Sequence, residues 1–260
     1  MPDLLSIVSG ALIGLIMGLV GGGGSIVAVP LLLYVVGVPS VHAAIGTSAV
    51  AVSLNALGNL ALTAKRGLVK WPCAFVFSGA GILGSFLGSY LALQIPGAKI
   101  LSLFGGLMLV IGTVMLLRKN AEGDADVRLN LITARHMLPW LLTIGLGVGG
   151  LAGFFGIGGG FLIVPGLMLA TGMPITYAIG TSLVAVTVFG AVTASNYTLA
   201  GEVLWRTVGL FAVGGVAGSL AGQWLSAKLG NHKKMLQSVF AAVVIAVGIF
   251  TIYEGVPKIH

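Results

Sequence analysis

Apolar runs of about 17 residues or more recur along the chain, and short loops between them carry nearly all of the charge. Such runs are long enough to cross a bilayer as helices. The composition agrees, because 57% of the 260 residues are hydrophobic and only 7% are charged, against about 25% in a typical soluble domain. No short alternating segments typical of membrane barrels are visible. The sequence therefore predicts an all-α integral membrane protein with many passes.

The charged residues divide the chain into about eight hydrophobic segments, and segments 1 and 5 are each interrupted by glycines. The first four are predicted at 4–20 plus 25–36, 41–63, 72–95 and 99–117. The last four are predicted at 138–155 plus 161–172, 176–199, 206–227 and 235–253. We therefore expect a first transmembrane repeat at 1–117, a linker at 118–136 and a second transmembrane repeat at 137–260.

The two groups of segments repeat one another. A shift of 135 residues (21 to 156) places "GGGGSIVAVP" (21–30) on "GIGGGFLIVP" (156–165). A shift of 134 residues (44 to 178) places the first "AIGTS" (44–48) on the second (178–182). The register continues, since Gly81, Gly84, Ser85 and Gly88 fall on Gly215, Gly218, Ser219 and Gly222. A register held across most of two halves indicates a tandem duplication.

The loop charges bear on how the repeats are oriented. The loop after segment 2 is basic (Lys65, Arg66, Lys70), whereas its counterpart holds Arg206 beside Glu202; the loops after segments 3 and 7 show the opposite bias. This reversal favours inverted repeats in which each broken segment turns back on itself. Parallel repeats with four spans each are the alternative, and the total charges barely separate the two. Both schemes place the linker 118–136 in the cytoplasm by the positive-inside rule, which also accounts for the net charge of +7 without any nucleic-acid partner.

Glycines spaced four apart form a stripe on segment 1 and again on segment 5. On a helix such a stripe lets another backbone approach closely. We expect these glycines, together with Pro30 and Pro165, to be structural, and the two broken segments to pack together at the centre of the protein. The stripes are Gly10, Gly14 and Gly18, and Gly145, Gly149 and Gly153.

The glycine clusters that interrupt segments 1 and 5 are candidates for an anion site. A new half-helix begins beside each cluster, and its first N–H groups are unpaired and carry partial positive charge. Without side chains in the way, an anion can reach them. Two copies across a pseudo-twofold would make one midplane site, as in many secondary transporters; a plain tight turn is the alternative. The candidate residues are Gly21, Gly22, Gly23, Gly24 and Ser25, and Gly156, Gly158, Gly159 and Gly160.

Polar side chains near these clusters are further candidates. Thr47, Ser48, Thr181 and Ser182 of the two "AIGTS" motifs have hydroxyls that can donate to an anion or bond back to their own helix. Asn55, Asn59 and Asn196 rank second, because a buried asparagine more often ties helices together than touches a substrate.

The middle of every segment is free of charged residues, so no intramembrane proton relay is visible. An anion site must then consist of backbone dipoles and hydroxyls. Export needs no coupling ion, because an inside-negative potential drives each negative charge outward by about 2.3 kcal/mol per 100 mV. One cysteine and four scattered histidines indicate no metal site, no cofactor and no enzyme chemistry.

The chain resembles the sulfite exporter family of the TauE/SafE type. The resemblance rests on "GGGGSIVAVP", "GIGGGFLIVP" after a basic linker, the two "AIGTS" motifs and about eight apolar segments, and it covers nearly the whole chain. It implies a multi-pass inner-membrane transporter of small anions such as sulfite or organosulfonates. Ile157 and Phe161 stand where the first half has Gly22 and Ser25, so the second half of the site is expected to be less polar.

Two functions from different classes follow. The first is a transporter, an exporter as the resemblance implies, whose partners are a small anion and the lipid bilayer. The alternative is a non-transporting membrane scaffold or assembly subunit in which the glycine breaks serve helix packing alone. A homo-oligomer is compatible with either function.

Overall fold

The computed structural model describes residues 2–20, 22–117, 131–158, 160–228 and 233–255. All regular elements in these ranges are helices. The long ones are α1 (Pro2–Val20), α3 (Val41–Lys65), α4 (Trp71–Leu93), α5 (Gly97–Leu117), α6 (Leu131–Phe155), α8 (Ile175–Leu199), α9 (Trp205–Lys228) and α10 (Lys233–Gly255). Between α1 and α3 lie a 3-10 helix (Gly22–Val27), one α turn (α2, Ala28–Pro30) and a π-helical segment (Leu31–Val36). The short helix α7 (Gly160–Thr171) lies between α6 and α8.

The helix bounds agree closely with the predicted segments, except at α6. This helix begins at Leu131, seven residues before the predicted start and inside the predicted linker 118–136. Residues 131–138 contain no glycine or proline, and the helix continues through Pro139, which lies inside it. The rest of the linker, 118–130, lies outside the described residues.

Both broken segments fold back on themselves. We call residues 22–36 the first half-helix and α7 the second half-helix. Residues 31–36 of the first half-helix contact α1, and a Cβ placed on Gly166 of the second would lie 3.0 Å from Ile144 Cγ2 of α6. A continuous helix would place residues 144 and 166 about 33 Å apart at 1.5 Å per residue. Each broken segment is therefore a helical hairpin with its tip at the glycine cluster.

The helix contacts of one half reappear, exchanged, in the other half. Helix α1 packs on α9, and its counterpart α6 packs on α4; α3 also contacts α9, as α8 contacts α4. Three further pairs consist of counterparts in contact: α3 with α8, α5 with α10, and the 3-10 helix with α7. This exchange is the pattern of a pseudo-twofold axis that passes between α3 and α8.

Counterpart helices run in opposite directions. Along α3 and α8, Gly46 packs on Tyr197 and Gly190 packs on Ser53, whereas Gly180 packs on Thr63, so the residue number rises on one helix as it falls on the other. Ser53 Oγ donates to the carbonyl of its own counterpart, Thr187, at 2.8 Å. Antiparallel counterparts are what halves of opposite orientation require.

The glycine stripes permit close backbone contact as expected, but the partner helices differ from those expected. Gly14 of α1 lies against the carbonyl of Gly215 on α9, and Gly149 of α6 lies against Gly81 on α4. The prediction that the two broken segments pack on each other through these stripes was wrong. Helices α4 and α9 carry small-residue stripes of their own, so each is as smooth a partner for close approach as the stripes on α1 and α6 are for one another. Gly10, Gly18, Gly145 and Gly153 have the same kind of partner, on α9 or α4.

The protein is a multi-pass membrane protein. Six helices of the described residues are long and apolar enough to span a bilayer: Val41–Lys65, Trp71–Leu93, Gly97–Val114, Met137–Phe155, Ile175–Leu199 and Trp205–Leu225. Shorter apolar stretches lie at Asp3–Leu19 and Ala241–Glu254, so the count of eight spanning segments stays a prediction. Large apolar side chains such as Leu83, Val110 and Val213 are exposed on the outer helix faces, where a bilayer would cover them.

Candidate functional site

The second glycine break lies at the centre of the protein. Gly156 and Gly158 have φ of 64° and 61°, in the left-handed region that glycine adopts without strain. A Cβ on Gly158 would lie 3.1 Å from Cγ1 of both Val52 and Val186. These two valines are repeat counterparts near the middle of α3 and α8, so Gly158 lies close to the pseudo-twofold axis. Ile157 between the glycines is fully buried.

The first glycine break lies beside the second half-helix. Gly22–Val27 form the 3-10 helix, which contacts α7. Gly24 is buried against α1, where a Cβ would lie 2.7 Å from the Met17 amide nitrogen. Ser25 is fully buried, and Gly160 at the start of α7 is buried. Gly21 and Gly159 lie outside the described residues.

The prolines lie inside both half-helices. Pro30 is buried, and the helix changes from an α turn to a π segment directly after it. Proline has no N–H to donate to the preceding turn, which suits such a change of register. Pro165 lies within α7.

The two serines of the "AIGTS" motifs are fully buried. Ser48 Oγ lies 2.9 Å from the Ile45 carbonyl of its own helix and 3.0 Å from the Gly156 carbonyl, so this hydroxyl ties α3 to the second break. Ser182 Oγ donates to the Ile179 carbonyl at 2.8 Å. Back-bonding to the helix, the alternative open at the sequence level, therefore occurs at both serines.

The two threonines of these motifs support the starts of neighbouring helices. Thr47 Oγ1 accepts the Leu204 N–H at 3.1 Å, directly before α9. Its counterpart Thr181 Oγ1 accepts the Lys70 N–H at 3.0 Å, directly before α4. These amides are among those that a helix cannot pair internally. Sequence reasoning missed this role, although the repeat register already matches residue 70 with residue 204.

The three second-rank asparagines fall at two interfaces. Asn55 and Asn59 are buried on α3 and face α9: Asn55 packs on Gly215, and Asn59 Oδ1 accepts a hydrogen bond from Gln223 Nε2 at 2.5 Å. Asn196 lies on α8 and donates to Ser89 Oγ of α4 at 2.7 Å. Gln223 and Ser89 are counterparts that sequence reasoning did not single out.

The ion pair and the other charged contacts among the described residues lie near helix ends. Asp3 and Arg206 form an exposed ion pair at 2.6 Å near the starts of α1 and α9. Ser40 Oγ donates to Glu202 at 3.2 Å, and Lys70 lies 4.5 Å above the Tyr177 ring. The described residues hold no group of three or more His, Cys, Asp or Glu side chains that could bind a metal. The breaks themselves present backbone, hydroxyl and apolar groups.

The sequence matches a known protein family over most of its length. The sequence model of the family described as sulfite exporter TauE/SafE matches residues 6–251. The chain belongs to the TauE/SafE family. A "probable membrane transporter protein" of Xylella fastidiosa is 46% identical over 252 residues, which are 97% of this chain and 95% of the relative. The "probable membrane transporter protein YunE" of Bacillus subtilis is 27% identical over 279 residues, 98% and 99% of the two chains. No solved structure gives a significant match.

The resemblance seen in the glycine motifs is thus confirmed, and the protein is a membrane transporter of the TauE/SafE family. Both glycine breaks and both "AIGTS" motifs lie within the matched residues.

Proposed function

We propose that this TauE/SafE transporter exports small anions of the sulfite or organosulfonate type across the cell's inner membrane. The observation that supports this most directly is the position of Gly158, between the counterpart residues Val52 and Val186 near the pseudo-twofold axis. A ligand there can meet the start of the second half-helix, while the 3-10 helix that opens the first half-helix contacts α7. Unpaired N–H groups at helix starts favour anions.

The proposed topology has two inverted repeats, 1–117 and 137–260, joined by a cytoplasmic linker at 118–136. The antiparallel course of α3 and α8 and the two helical hairpins both favour this arrangement over parallel repeats. In this topology the basic loop at Lys65–Lys70 lies on the linker side, as the positive-inside rule requires.

Thr47, Ser48, Thr181 and Ser182 are proposed to border the anion site, and its backbone walls are proposed to include Gly22–Ser25, Gly156, Gly158 and Gly160. The threonine hydroxyls accept bonds from the N–H groups of Leu204 and Lys70, so each still has a hydrogen to donate.

The test is flux of labelled sulfite from liposomes that contain the purified protein, under a set membrane potential. Wild-type flux should follow the potential without a proton gradient. Gly158→Ala should lose most of it, because the added methyl would crowd Val52 and Val186 at the proposed site, 3.1 Å from each, and would strain a backbone with φ of 61°. Gly201→Ala is the matched control: φ there is 75°, but a Cβ would meet nothing within 4 Å.

The two variants separate strain from loss of the site. Equal loss of flux in Gly158→Ala and Gly201→Ala would mean that strain alone is responsible. Absence of flux from folded wild-type protein with sulfite, sulfoacetate and thiosulfate would overturn the anion exporter, and the scaffold function would then lead.

A further inference from the structure

The interface between α3 and α9 holds buried side-chain amide groups that have no hydrogen-bond partner among the described residues. Asn55 is 1% exposed, and neither Nδ2 nor Oδ1 has a hydrogen-bond partner among the described residues. Its amide packs on Gly215 of α9. A buried amide that makes no hydrogen bond destabilises the folded protein, so its presence calls for a reason.

A second such amide lies one turn further along α3. Asn59 is 3% exposed; its Oδ1 accepts a bond from Gln223, but its Nδ2 has no partner among the described residues. Both asparagines face the seam where α1, α3 and α9 meet. Gly215 lies against Gly14 of α1, and the Gln223 backbone lies against Gly18. The seam therefore runs along α1 toward its end at Val20, where the first glycine break begins.

The positions equivalent to Asn55 and Asn59 in the other half carry no side-chain amide, although Ser78 Oγ on α4 is also buried without a partner among the described residues. Phe189 is the counterpart of Asn55 and packs on Gly81, the counterpart of Gly215. Thr193 is the counterpart of Asn59, and its hydroxyl lies 3.1 Å from Ser85 Oγ. The backbone packs in nearly the same way at both seams, but among the described residues only the α1–α3–α9 seam holds unpaired side-chain amides, so simple helix packing does not require them.

We propose that Asn55 and Asn59 bind the transported anion, and that this anion also carries a hydrogen-bond donor. The inference rests on the proposed anion transport. The two Nδ2 groups can donate to oxygens of the ligand, whereas Asn55 Oδ1 can only accept. A bare oxyanion leaves that oxygen unpaired, but an oxyanion with a hydroxyl or ammonium group satisfies both ends of the amide.

The experiment compares two probes that differ by one hydroxyl, ethanesulfonate and 2-hydroxyethanesulfonate. Binding to the purified full-length protein is measured by calorimetry, and flux is measured in liposomes. The wild type should bind the hydroxylated probe about tenfold more tightly. Asn55→Leu, which keeps the number of side-chain heavy atoms, should abolish that preference and weaken binding of both probes.

Thermal stability tells binding apart from a structural role. Asn55→Leu should melt at or above the wild-type temperature, because an unpaired amide is replaced by an apolar group of similar shape. The matched control Thr193→Val lies at the equivalent seam; it should melt lower, since the contact with Ser85 is lost, yet bind both probes as the wild type does.

Three results would overturn the inference. Asn55→Leu could bind and transport like the wild type, it could lose binding together with a clear fall in melting temperature, or the wild type could bind both probes equally. Wild-type protein that binds and moves neither probe nor sulfite would instead refute the proposed anion transport itself.

Discussion

The close contact between α4 and α6 at Gly149 predicts how a substitution there changes stability, and Gly147 on the same helix provides the control. A Cβ on Gly149 would lie 2.6 Å from Gly81 Cα, whereas carbon atoms pack best at about 3.5–4.0 Å. Helices α4 and α6 would have to separate by about 1 Å, which forfeits dispersion contacts along the interface. Overpacking of this kind costs about 1–3 kcal/mol, and contact with rigid backbone places it in the upper part of that range.

The helix propensity of alanine offsets part of this cost. Replacing glycine by alanine inside a helix gains about 0.5–1 kcal/mol, so Gly149→Ala should be net destabilised by about 1–2 kcal/mol. Gly147 lies two residues away on α6 and a Cβ there would meet nothing within 4 Å, so Gly147→Ala should gain the same 0.5–1 kcal/mol. The change in the free energy of unfolding should therefore have opposite signs in the two variants.

A thiol-reactive fluorogenic dye suits the measurement, because Cys73 is the one cysteine in the sequence and is 2% exposed. The dye reacts as unfolding exposes that thiol. At about 2–4 °C per kcal/mol for a chain of this size, Gly149→Ala should melt a few degrees below the wild type and Gly147→Ala slightly above it. If Gly149→Ala melts as high as Gly147→Ala, the close approach of α4 and α6 is wrong.

Two further substitutions test local contacts by the same melting assay. Thr47→Val removes the acceptor of the Leu204 N–H and should cost about 1 kcal/mol; an unchanged melting temperature would show that this hydroxyl does not support the start of α9. Arg206→Ala breaks the ion pair with Asp3. The side chains of Arg206 and Asp3 are 81% and 49% exposed, so the loss of stability should be less than about 1 kcal/mol. A larger loss would mean that the pair is shielded from solvent.

The segments and their breaks could be predicted from the sequence because they depend on local properties. Long apolar runs bounded by charges place the helices, and glycine clusters end them, as at Gly156 and Gly158. The repeat register needs only residue identities. Helix bounds therefore agree within a few residues everywhere except at α6, whose start at Leu131 falls in a polar stretch.

Helix partners could not be predicted in the same way. The stripe on α1 is smooth enough to fit any small-residue face, and its periodicity does not distinguish α6 from α9. The bond from the Leu204 amide to Thr47 joins residues 157 positions apart, and the bond from Gln223 to Asn59 joins residues 164 apart. Such pairs are determined by the tertiary arrangement. The backbone features of a candidate site can therefore be predicted from one sequence, but the partners of its side chains cannot.

Contacts that both repeats share differ in kind from contacts that only one repeat makes. Contacts repeated in both halves include the stripe pairs Gly14–Gly215 and Gly149–Gly81 and the two threonine bonds, and all of them join helices to helices. Both repeats keep these contacts because the helices of each repeat pack in the same way. Divergence occurs instead where a side chain faces a seam or a hairpin tip, as with Asn55 against Phe189 or Gly22 against Ile157. A ligand without a twofold axis, such as an organosulfonate, cannot make identical contacts with both halves, so the divergent positions are where recognition of such a substrate should be sought.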